Sequence, residues 1–157
     1  LQLDTAASRL VLPVRDRDAV TQPRDLGTPK GAPPMEKEVL EQEHAEWIVR
    51  EDLGTGETQV RIVDSDGRVR IKDNDLTRGA TCVETYSFTG TDWRSFKGHV
   101  AWDLEMSRGD WRMSSRTETE MTATTTHFVI NAKLVAREGD AVAHEQTWSC
   151  EIPRDLA

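Results

Sequence analysis

Phe128-Val129-Ile130-Asn131-Ala132-Lys133-Leu134-Val135-Ala136 and, after Gly139-Asp140, Val142-Ala143-His144-Glu145-Gln146-Thr147-Trp148-Ser149-Cys150-Glu151-Ile152 make up the stretch that decides the fold. In the first half the even-numbered Phe128, Ile130, Ala132, Leu134 and Ala136 are all apolar, the period of a strand with one face turned to a core. In the second half the even set, Val142, His144, Gln146, Trp148, Cys150 and Ile152, is again the more apolar one. Residues opposite each other in an antiparallel pair share a face, so even must stand opposite even. The paired numbers then have an even sum, and the loop holds an odd number of residues. A three-residue loop, Gly139-Asp140-Ala141, satisfies this and sets Phe128 opposite Ile152 and Ala132 opposite Trp148.

The same period extends upstream. Trp47 and Val49, Val60 and Ile62, Val69 and Ile71, then Val100, Trp102, Leu104 and Met106 each line one face of a strand. Gly54-Thr55-Gly56, Asp64-Ser65-Asp66-Gly67, Arg108-Gly109, Thr124-Thr125 and Gly139-Asp140 punctuate them as turns. Links this short join only antiparallel neighbours, because a parallel pair needs a long crossover. The fold class is therefore all-β: a curved antiparallel meander of about eight strands, half-barrel or barrel-like, with an extended N-terminal segment. Parity gives the Arg108-Gly109 hairpin an even loop, read as Met106 opposite Trp111, Leu104 opposite Met113, and Glu105 opposite Arg112 as an ion pair on the other face. Residues 36–46 are Glu-rich without an apolar stripe and read as extended or irregular. Residues 15–34, with Pro23, Pro29, Pro33 and Pro34, read as a connector. The expected division is 1–34, a preceding strand and connector, and 35–157, the antiparallel domain.

The chain has 157 residues, 36% of them hydrophobic, and a formal charge of −8. Its mean hydropathy is −0.62 and its pI about 5.0. A sheet with one wet face tolerates that leanness. The acidity argues against nucleic acid and against an anionic membrane surface as partners. No apolar run reaches spanning length and no signal-peptide pattern opens the chain; a cytoplasmic location is expected from the two cysteines, read as thiols of a reducing compartment. Cys82 and Cys150 do not form a disulfide framework and read as free buried thiols. Opening at Leu1 on a strand-like segment, the chain is expected to be a piece of a longer protein.

Chemistry-bearing residues are sparse. Arg108-Gly109-Asp110 matches an adhesion tripeptide, but stands where a hairpin needs a glycine with positive φ. Asp64-Ser65-Asp66-Gly67 and Asp73-Asn74-Asp75 lack the closing Glu of a calcium loop and read as Asx turns. His44, His99, His127 and His144 lie on separate segments without ligand spacing, so no metal and no cofactor is expected. Ser115, Thr117 and Thr119 share the inward parity of Trp111, Met113 and Met121. With His144 and Trp148 they would line a lumen for a small hydrophobic ligand if the sheet closed. The plainer alternative has these hydroxyls bonding locally near a sheet edge. The same set contains Ser115–His144 and Cys150–His144 as nominal catalytic dyads. Neither has an orienting group or oxyanion device, and no catalytic residue is assigned. Of the five tryptophans, four have inward parity and read first as core anchors, second as an interface.

Ser8-Arg9-Leu10-Val11-Leu12-Pro13-Val14 resembles the closing jelly-roll strand of hydrolases of the cocaine-esterase and X-prolyl dipeptidyl-peptidase (CocE/NonD) family. Asp52-Leu53-Gly54-Thr55-Gly56-Glu57, Ser107-Arg108-Gly109-Asp110-Trp111, Arg116-Thr117-Glu118-Thr119, His127-Phe128, Glu138-Gly139-Asp140 and Ile152-Pro153-Arg154-Asp155-Leu156 resemble phrases of a β-rich C-terminal extension found in some members. The resemblance implies an upstream α/β-hydrolase with a serine nucleophile acting on acyl esters or amides. This chain has no Gly-x-Ser-x-Gly, so no catalytic role transfers. What the resemblance implies for it is an accessory domain packed on the rest of the hydrolase or on a sister subunit.

Overall fold

The computed structural model describes residues 26–155. The proposed jelly-roll strand at Ser8–Val14 and most of the connector lie outside them. Contacts divide the chain into Leu1–Pro34 and Met35–Ala157. The strands of the described residues belong to the second unit: β1 (Lys37–Glu41), β2 (His44–Asp52), β3 (Glu57–Ile71), β4 (Leu76–Thr89), β5 (Asp92–Arg108), β6 (Trp111–Ala123), β7 (His127–Glu138) and β8 (Ala141–Pro153). They form one open antiparallel sheet, ordered β1-β3-β4-β5-β6-β7-β8, with β2 also on β3. Among the described residues no helix occurs and no pairing joins β8 to the opposite edge.

Turn chemistry explains the meander. The Asp52 carboxylate accepts hydrogen bonds from the Gly54 and Thr55 amides at 2.8 and 3.2 Å, and Gly56 completes the turn at φ 70°. Those amides, Gly54 first, hold the Asp52 carboxyl below its ordinary range. Asn74 accepts from the Leu76 amide at 3.1 Å, an Asx turn, with Asp75 at φ 55°. The Arg108-Gly109-Asp110 segment is the two-residue β5–β6 hairpin, Gly109 at φ 58°. At the β6–β7 turn Thr124 Oγ1 accepts from the His127 amide at 2.9 Å.

Three sequence expectations change in detail. Asp64-Ser65-Asp66-Gly67 is no turn: β3 runs through it, absorbing the extra residue as a bulge between Ser65 and Gly67. Gly67, at φ 66°, lets the β1–β2 junction close over this bulge; a Cβ there would lie 2.3 Å from the Glu41 carbonyl oxygen. The β5–β6 hairpin has the expected even loop, but slides the register by two, so Met106 faces Met113 and Leu104 faces Ser115. Glu105 therefore opposes Ser114, and the expected pair with Arg112 does not form. Finally, Phe128 opposes Ile152 and Ala132 opposes Trp148 as parity requires, yet the loop has only two residues. The odd residue is taken up in β8, where the register shifts between Ala136 and Arg137. Residues 36–46, read as extended or irregular, supply β1 and the start of β2.

Register sorts the side chains onto two faces. One carries Trp47, Ile62, Cys82, Trp102, Leu134 and Trp148 with their neighbours; the other is polar. Ion pairs span the polar face: Arg61–Glu46, Arg68–Glu41 at 2.7 Å, Arg116–Asp103 at 2.6 Å and Lys133–Glu145 at 2.7 Å. Nothing among the described residues covers the apolar face. Buried apolar residues are few, including Val63, Ile71, Cys82, Ala101 and Ala123. The tryptophans read as core anchors are exposed: Trp102 at 49%, Trp148 at 47%, Trp47 at 79%.

Candidate functional site

The five candidate lining residues share the apolar face. Ser115, on β6, aligns through Ala136 with His144 on β8. Thr119 aligns through Ala132 with Trp148, and Thr117 lies in the row between, opposite Leu134. Adjacent strands lie about 4.8 Å apart, so the backbones at Ser115 and His144 stand about 9.6 Å apart across β7, and no hydrogen bond joins the two side chains. Cys150 and His144 occupy one strand six residues apart, about 20 Å at the usual rise. Neither nominal dyad is assembled. The sheet places the five residues together on one face, but that face is open and encloses no lumen.

The depressions lie elsewhere. One of about 500 Å³ is lined by Leu40, Arg68, Thr77, Glu105, Ser107 and Arg112 among others. Another, about 540 Å³ and broadly open, is bordered by His99, Glu118, Glu120, Asn131, Lys133 and Thr147. Most of these side chains belong to the polar face by register. Of the five candidates, Trp148 borders the second of these depressions and the other four border neither. Beside the second one, Arg116 donates to Glu118 at 2.7 Å and to Asp103 at 2.6 Å, and the first of these bonds holds the Glu118 carboxyl below its ordinary value. Among the described residues no group of three or more His, Cys, Asp or Glu could hold a metal ion. No helix of the described residues is long and apolar enough to cross a membrane.

A polar cluster within the apolar face escaped sequence reading. Tyr86 donates its hydroxyl proton to Glu84 Oε2 at 2.5 Å, and the Cys82 thiol points to Glu84 Oε1 at 3.9 Å. Asp64 stands opposite Cys82 from β3. Burial first, then the Glu84 charge, raises the Cys82 pKa; the bond to Glu84 raises that of Tyr86. Like parity of 82, 84 and 86 was a legible signal for part of it. Asp64 was not legible, because its alignment passes through the β3 strand that looked like a turn. The two cysteines are free, and they differ: Cys82 is buried while Cys150 is exposed, contrary to the expectation of two buried thiols. Comparison with family models, with curated proteins and with solved structures returned no match.

Proposed function

We propose that this chain is a non-catalytic accessory β domain of a larger serine hydrolase of the CocE/NonD type, laying its apolar sheet face on the rest of that protein. The observation that supports this reading is the uncovered face itself. Apolar side chains of the sheet's strands lie on it in register, and Trp111, Trp148, Trp102 and Trp47 are 41% to 79% exposed. Contiguous apolar surface of this kind marks an interface. Seven strands at about 4.8 Å and a dozen residues at about 3.4 Å describe a face of roughly 1,300 Å². That exceeds the roughly 800 Å² per partner of a stable interface. The resemblance of several phrases to the family's C-terminal extension is what points to such a hydrolase as the partner. A cytoplasmic setting belongs to the same proposal and agrees with the two free thiols.

The test is the size of the native polypeptide, detected in its source cells with an antibody raised against this chain. A band several times larger than 17.7 kDa, with Leu1 internal and a hydrolase sequence upstream, is the expected result. A native species beginning at or just before Leu1 overturns it. The isolated chain is expected to turn over neither esters nor X-Pro amides. Turnover abolished by Ser115→Ala or His144→Ala would likewise sink the proposal.

A further inference from the structure

The two edges of the sheet are not alike. On one side β1 and β2 lie end to end along β3, interrupted at Gln42-Glu43 and by a register shift between Val39 and Glu41. Three of five β1 residues and four of nine β2 residues are charged. Short, broken, charged edges are the means by which sheets avoid pairing with other chains. On the other side β8 runs thirteen residues, every one exposed, with two charges, Glu145 and Glu151. Glu145 is already tied to Lys133 at 2.7 Å. The register shift near Ala143 and Pro153 bound an unbroken stretch between them.

We propose that β8 is the docking edge for a second copy of this chain, pairing antiparallel with the other β8 about a two-fold axis at Ser149. This concerns the edge and does not depend on what covers the apolar face. A strand added to β8 must itself have a free, unblunted edge, and β8 of a second copy is one. Pairing β8 to the β1–β2 edge would be head-to-tail and would propagate, whereas β8 on β8 closes after two copies. Parity restricts the axis to a single residue, since only even sums keep like faces together. With Pro153 counted at one end, two centres allow a nine-residue overlap: Trp148 over residues 144–152, and Ser149 over residues 145–153, where Pro153 meets Glu145. Centring on Trp148 sets Glu145 against Glu151, a like-charge pair. Centring on Ser149 instead sets Trp148 against Cys150 and Gln146 against Ile152 on the apolar face. Thr147 then meets Glu151 on the polar face, with no like charges opposed. The apolar and polar faces both continue across the axis.

Sedimentation velocity of the full chain over a concentration series tests this, with two variants. Opposed Cα atoms in an antiparallel pair are about 4.5–5.5 Å apart, within the span a disulfide bridges. Ser149→Cys with Cys150→Ala is therefore expected to link into a covalent dimer under copper–phenanthroline and oxygen, which take up the two electrons and two protons of the thiols. Ser149→Lys opposes two ammonium groups at the axis and is expected to sediment as monomer with an unchanged far-UV spectrum. Monomeric parent protein at the highest concentration overturns the proposal. So does a dimer that survives Ser149→Lys and fails to cross-link at position 149, because its contact then lies on another surface. Should Ser149→Lys misfold, the cross-link alone decides.

Discussion

Replacing Gly67 by Ala isolates the cost of the bulge that lets one edge of this sheet be built from two strands. The backbone at Gly67 is left-handed, φ 66°, which costs an L residue about 1–2 kcal/mol. The added Cβ would also lie 2.3 Å from the Glu41 carbonyl oxygen and 2.7 Å from Gln42 C and O. These are backbone atoms and cannot swing aside. The clash is relieved only by lifting the β1–β2 junction, which breaks the pairing of Lys37–Glu41 with Arg68–Ile71 and loosens the Arg68–Glu41 and Arg70–Glu38 ion pairs. Since β1 is a short edge strand, its loss limits the penalty; a total of about 2–4 kcal/mol follows, in the range of backbone-strain mutants. Gly109→Ala is the control, because Gly109 has φ 58° but nothing within 4 Å of a Cβ. It is expected to cost only the strain, about 1–2 kcal/mol. Denaturant unfolding of the two variants, with amide hydrogen exchange across residues 37–41, measures both. Equal losses at the two positions, or unchanged protection of the β1 amides in Gly67→Ala, would refute the reasoning.

The tail at Pro153-Arg154 is fastened by the Arg154 guanidinium, which donates to the Thr124 carbonyl at 2.9 Å and sits 5.0 Å over the Phe128 ring. Arg154→Ala is expected to lower stability by about 1–2 kcal/mol, one charged hydrogen bond plus a partly exposed cation–π contact, against the relief of its unpartnered Nε. A thermal transition within error of the parent would remove the tail from the fold's support. Native protein is expected to react with a thiol reagent at Cys150 and to spare Cys82, which burial keeps protonated; mass spectrometry reads the site, and both should label in denaturant. Prompt native labelling of Cys82 would contradict its burial. The Arg116 bonds lower the Glu118 carboxyl below 4.5, so this contribution is complete above pH 4.5 and is lost as the pH falls through the lower folded value. Arg116→Ala should therefore be less stable than the parent at pH 7, with a gap that narrows in acid; a gap constant to pH 2 would exclude the coupling.

What could be read from the sequence follows from the pleat. A strand's side chains alternate whatever surrounds it, so parity alone sorts Trp102, Leu134 and Trp148 onto one face and keeps the even residues of 128–136 opposite even residues of the last strand. The co-facial placement of Ser115, Thr117, Thr119, His144 and Trp148 comes from the same rule. Parity is degenerate, however, in two ways. Moving a register by two preserves it, which is why the β5–β6 hairpin closes on Gly109-Asp110 with Met106 facing Met113. An odd residue satisfies it equally in a loop or in a bulge, and β8 uses the bulge. Asp64-Ser65-Asp66-Gly67 has the composition of a turn, and only the neighbouring β4 and the closing β1–β2 junction hold it in a continuous strand. The pattern of apolar and polar residues along the chain thus determined that this protein is an antiparallel sheet with one apolar face, because that pattern is local. Where the strands slide, which edge stays open and that no lumen closes over Ser115 and His144 were decided by the tertiary structure, because each depends on pairing between residues far apart in the chain.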